Sequence, residues 1–154
     1  MKEKKNLITV LNSLLADELI AINQYMVHSE MCENLGYSKL HQAFQKLAMD
    51  QMLLAERLIE RISSLDGSAA LAKLNSLLIG KTVSELITNN KSDQPEAFRP
   101  YTDAIELASQ TSDHETVDLL SKIIRKEKVN ISWAELQRSQ IAEMGMETYL
   151  AKQT

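Results

Sequence analysis

The sequence predicts an all-α chain, a four-helix bundle with one long crossover between its second and third helices and a short fifth helix at the end. Apolar residues recur at helical spacing over long stretches. With only two Pro and four Gly in 154 residues, the chain holds little of the turn material an all-β fold needs. Two short connections and one long one separate the helical stretches.

The first helix is predicted from about Asn6 to Asn34, on the stripe Leu7, Leu11, Leu14, Ala21, Ile22 and Tyr25. Gly36 is its stop, and Ser38 is read as the N-cap of the second helix. That helix runs to about Leu65 on Leu40, Phe44, Leu47, Leu54, Leu58, Ile62 and Leu65, and Asp66-Gly67 ends it.

Residues 67–81 carry no long stripe, although Leu71, Leu74 and Leu77 can pack on a bundle. A connection of that length reaches roughly 45–50 Å when extended. A helix of roughly 27 residues is about 40 Å long. The connection can therefore cross the whole bundle and make the second and third helices parallel.

The third helix opens with the capping box Thr82-Val83-Ser84-Glu85 and continues on Val83, Leu86, Ile87, Ala97, Tyr101, Ile105 and Ala108. Pro95 and Pro100 fall inside that stripe, and an interior Pro costs about 3 kcal/mol. Asn89 to Ser92 are weak helix formers. A kink or break is expected between about Asn89 and Pro100, with Asp93 opening a fresh segment and Pro100 interior to it. The fourth helix opens with Ser112-Asp113-His114-Glu115 and follows Val117, Leu120, Ile124, Ile131 and Ala134 to a stop at Gly145. Residues 146–152 make one short last helix.

Length and composition predict a single domain over residues 1–154. The net charge is −4 with Lys and Arg spread along the chain, so nucleic acid is not the expected partner. Cys32 has no second cysteine to pair with, which predicts a reducing, cytoplasmic setting. No apolar run is long enough for a signal peptide or a membrane span. His28 is expected to pack locally, and His41 and His114 to be solvated.

Each stripe is interrupted near its middle by polar residues: Glu18, Gln51, Gln94, and Glu127 with Asn130. Buried polar groups cost free energy unless partnered, so residues at similar heights in four helices are expected to meet. A hydrogen-bonded layer that fixes helix register and a metal site, whole or degenerate, both fit. A di-iron bundle site takes a Glu from each of two helices and Glu-x-x-His from the other two. Here the two pairs read Gln51-x-x-Leu54 and Glu127-x-x-Asn130, so Glu18 and Glu127 alone keep carboxylates.

A second apolar stripe lies beside the core face. Leu15, Leu19, Ile22 and Met26 carry it on the first helix, and Met49, Met52 and Leu53 on the second. Such stripes mark interfaces. Across a two-fold axis two Met52 thioethers could face each other. A thioether is a soft ligand that suits haem iron, and a Met is also an adaptable gap filler; both readings fit the residues.

Over nearly its whole length the chain resembles bacterioferritin. The likeness is carried by Asp17-Glu18-Leu19-Ile20-Ala21-Ile22-Asn23-Gln24-Tyr25, by Ala55-Glu56-Arg57-Leu58-Ile59-Glu60-Arg61-Ile62, by Ile131-Ser132-Trp133 and by Met144-Gly145-Met146-Glu147-Thr148-Tyr149-Leu150. The resemblance implies a ferritin-like bundle, a hollow cage of twenty-four subunits storing ferric mineral, a di-iron ferroxidase centre in each subunit, and haem b between paired subunits. The family's ferroxidase ligands fall on Glu18, Gln51, Leu54, Gln94, Glu127 and Asn130, of which Glu18 and Glu127 are kept. Its haem ligand falls on Met52, which is kept, with Leu19, Ile22, Asn23, Met26 and Met49 expected around the haem.

The expectation is therefore an iron-storage cage subunit that binds haem b through Met52 of two subunits and lacks its own di-iron chemistry. Iron binding at Glu18 and Glu127 stays open. The cage would be homomeric, or mixed with a ferroxidase-competent subunit, with a ferredoxin-type protein as a candidate electron donor. The alternatives are a ferroxidase-active bacterioferritin and a structural bundle without cofactor.

Overall fold

The computed structural model describes residues 2–69, 82–88 and 98–154. Among them are six helices: α1 (Lys2–Asn34), α2 (Ser38–Ser64), α3 (Val83–Thr88), α4 (Arg99–Gln110), α5 (His114–Met144) and α6 (Met146–Ala151). No strand occurs among the described residues. No helix among them is long and apolar enough to cross a membrane.

Cross-helix bonds set the directions. Lys4 Nζ reaches Asp66 at one end of the α1–α2 pair, and Ser29 bonds His41 at the other, so the pair is antiparallel. Asp50 pairs with Lys126, while Arg61, further along α2, meets Asp113 near the start of α5. These two helices are therefore antiparallel as well. Because α4 turns back into α5 over only residues 111–113, α4 lies parallel to α2.

The core has two parts. One gathers Leu7, Leu11, Leu14, Leu58, Ile62, Ala108, Leu120 and Ile123. The other gathers Tyr25, Phe44, Leu47, Val83, Leu86, Ile87 and Tyr149. Gly67, just past α2, lies against Ile8 at the first part, whereas α3 opens inside the second. The chain between them thus joins opposite ends of the bundle, as the long crossover requires. Its own residues 70–81 lie outside the described ones.

The second part is tied by rings. Phe44 is fully buried, with Trp133 edge-on at 5.5 Å and His28 edge-on at 5.6 Å. Replacing such a side chain by Ala costs about 3–5 kcal/mol. Tyr149 brings α6 into the same cluster, and its hydroxyl donates to Gln137 Oε1 at 2.6 Å.

Several local readings are corrected. The residue before α2 is Tyr37, with no side-chain cap, rather than Ser38; the Tyr37 carbonyl instead accepts from His41 N at 2.9 Å. The cap of α5 is Asp113, which accepts from Thr116 N at 3.1 Å, because Ser112 is turned to φ 55°. Pro100 sits in the first turn of α4, not in its interior, where its missing N–H leaves nothing unpaired. Of the proposed box at Thr82, the bond from Glu85 N to Thr82 Oγ1 forms at 3.3 Å. The expected break, Pro95 and the signal at Asp93 fall on residues 89–97, outside the described ones. His41 is half-buried rather than solvated, held at 2.8 Å by Ser29 Oγ. Ile123, not Ile124, is the fully buried residue of its turn in α5. Leu15, assigned to the outer stripe, is buried in the core, and Ile22, assigned to both stripes, belongs to the core one.

Candidate metal position and apolar groove

Glu18 on α1 is 2% exposed and lies at the junction of the two core parts. Gln51 on α2 and Tyr101 on α4 both donate to its carboxylate. The same Gln51 Nε2 donates to Glu127 Oε1 on α5 at 2.6 Å. One carboxamide thus bridges the two retained carboxylates. This pairing gives both acids a hydrogen-bond partner and offsets the cost of burying Glu18.

Tyr25 and Tyr101 lie near both carboxylates. Burial pushes the Tyr101 hydroxyl well above its ordinary pKa, and the neighbouring Glu18 carboxylate adds to it. Burial likewise raises Tyr25, reinforced by Glu127 and Glu18. Both phenols therefore stay protonated. Sequence reasoning placed Tyr101 in the apolar stripe only. Its hydroxyl was the missed signal, since a buried Tyr must find a partner.

The set does not fit two metal ions. A cation shared by Glu18 and Glu127 would compete with the Gln51 N–H group that already joins them. Leu54 is 7% exposed and offers no donor atom. Gln51 Oε1 and Asn130 Nδ2 are buried and have no hydrogen-bond partner among the described residues. Asn130 nevertheless brings a neutral amide where a di-iron site needs a basic donor. Gln94 lies outside the described residues. A separate group, Glu30, Glu33 and His41, converges near the α1–α2 turn, but His41 Nδ1 is engaged with Ser29.

The outer face of α1 and α2 is different in kind. Met26, Met49 and Met52 line a groove of about 190 Å³ together with Ser29, Gln45 and Ala48. Met52 is 41% exposed, and Met49 and Leu53 more so. Of the other residues expected around a haem, Asn23 is exposed, Leu19 half-buried and Ile22 buried, and none lines this groove.

An antiparallel four-helix bundle with carboxylates meeting across it defines the ferritin-like class, and the ferritin-like domain model matches residues 8–144. Relatives extend the likeness to the whole chain. Bacterioferritin of Mycolicibacterium paratuberculosis is 32% identical over 99% of this chain and 96% of its own length. Bacterial ferritin of Synechocystis is 32% identical over 99% of both. Bacterioferritin of Mycobacterium leprae is 31% identical over 99% of this chain and 96% of its own. The chain belongs to the bacterioferritins, within the ferritin-like superfamily.

Proposed function

We propose that this chain is the haem-carrying subunit of an iron-storage cage, without a ferroxidase centre of its own. The observation that carries the haem reading is the exposed methionine groove between α1 and α2. Three thioether side chains, each at least 41% exposed, are costly to leave in water. At about 190 Å³ the groove is smaller than the roughly 300–1,000 Å³ of a site that encloses a ligand. A second copy across a two-fold axis would supply the other wall.

Met52 of each subunit would hold the haem iron through its thioether, with Met26 and Met49 as apolar walls. Haem b, when bound, supplies one-electron transfer. The chain's own Met26, Met49 and Met52 would hold it and exclude water, and thioether ligation would favour its reduced form. Iron is the cargo. The bridged Glu18–Gln51–Glu127 cluster supports reading the bundle centre as structural. Fe(II) oxidation would then fall to a ferroxidase-competent subunit in a mixed cage, with a ferredoxin-type protein as electron donor in the cytoplasm.

The test is the visible spectrum and haem content of protein made with ample haem, compared with Met52→Leu and Met52→His. Met52→Leu should lose haem, and Met52→His should keep it with altered bands. Full haem content and an unchanged spectrum in Met52→Leu would overturn the assignment.

A further inference from the structure

A third face of the molecule contains none of the residues of the Glu18–Gln51–Glu127 cluster and none of the three methionines, and shares Leu54 with the candidate metal position. Between α2 and α5 runs a groove of about 320 Å³ lined by Lys46, Arg57, Lys122 and Lys126, with Asp50 as the one acid and Leu54 among its apolar lining residues. Four cations meet one carboxylate here, in a chain whose net charge is −4. Spread along the sequence, these residues gave no hint of a basic patch. Only the antiparallel contact of α2 with α5 brings them together.

The carboxylate is already committed. Asp50 Oδ2 accepts from Lys126 Nζ at 2.8 Å and from Lys46 Nζ at 3.0 Å. That bridge ties the two ammonium groups together through one carboxylate oxygen. Arg57 and Lys122 form no ion pair among the described residues. Their charges face a concave space with an apolar lining, where attraction to an anion exceeds that on an open surface. A planar guanidinium and neighbouring ammonium groups match the several acceptor oxygens of a tetrahedral oxyanion.

We propose that the α2–α5 groove is a binding site for a phosphate-class oxyanion, held by Arg57 and Lys122 with Lys126 and Lys46 as the flanking charges. Inorganic phosphate and the terminal phosphate of an ester share this chemistry. The site is independent of the methionine groove and of the carboxylate cluster.

The test is calorimetric titration of the iron-free assembled protein with inorganic phosphate at low ionic strength. The same titration follows with glycerol phosphate, and chloride at matched ionic strength is the control. Saturable uptake of one anion per subunit is expected, weakened by at least about tenfold in Arg57→Gln/Lys122→Gln. Both side chains are exposed, so the double variant should fold, and sedimentation confirms that it assembles. Tighter binding of inorganic phosphate assigns the site to the free ion, and tighter binding of glycerol phosphate to an ester. A phosphate response no greater than that of chloride, or one unchanged in the double variant, would overturn the proposal.

Discussion

Gln51 Nε2 lies 2.6 Å from Glu127 Oε1 and at the same time donates to Glu18, so a neutral amide stands where two acids would otherwise share a cation. This one relationship gives the two carboxylates a shared donor across three helices. An N–H donor satisfies each of them without adding charge, and Tyr101 supplies a further donor to Glu18.

Restoring charge and donors should restore metal binding. The variant Gln51→Glu/Leu54→His/Gln94→Glu/Asn130→His supplies the set a di-iron bundle requires. It should bind two Co(II) per subunit and oxidise Fe(II) rapidly, whereas the parent should do neither. Cobalt absorption and oxygen-consumption kinetics measure this. Rapid oxidation by the parent that stops in Glu18→Ala would show instead that the native set is active.

The Arg61–Asp113 pair predicts an acid-sensitive clamp between α2 and α5. Burial opposes ionisation of Asp113, but bonds from Thr116 and the Arg61 guanidinium outweigh it and hold the carboxyl below its usual 3.8. A lowered folded pKa contributes stability that is present above the unfolded value and lost as pH falls through the folded one. Asp113→Asn keeps the cap acceptor and loses the charge. It should cost about 1–2 kcal/mol at neutral pH. The difference should shrink steadily once the pH drops below the ordinary carboxylate value. Urea unfolding across the acid range measures it.

Tyr149 predicts the opposite limb. Burial raises its hydroxyl from 10.0 to about 12, with the nearby Cys32 thiol contributing. The folded state then holds that proton more tightly than the unfolded chain. The associated stability is complete below about 10 and is lost as pH rises toward about 12. Tyr149→Phe should lose about 1 kcal/mol at neutral pH, because Gln137 Oε1 is left without its donor. The same variant should unfold with a flatter pH dependence in alkali. Denaturant midpoints on both sides of that range decide it.

The apolar periodicity of Leu7 to Tyr25 and of Leu40 to Ile62 was enough to define α1 and α2, because helical spacing is a local property. Gly36 and Gly145, at φ 82° and 83°, marked helix ends for the same reason. The length of residues 67–81 was enough to allow a crossover. The polar interruptions showed that Glu18, Gln51 and Glu127 would meet, since equal depth on antiparallel helices is arithmetic. Tertiary structure alone decided the rest. Which amide proton bridges which carboxylate depends on side-chain reach across three helices. Leu15 left the outer stripe because α1 is buried on more than one side. Tyr101 became a donor to Glu18 because α4 brings its first turn to that height. The basic groove exists only where α2 meets α5, because residues far apart in sequence share a surface only after the helices have packed.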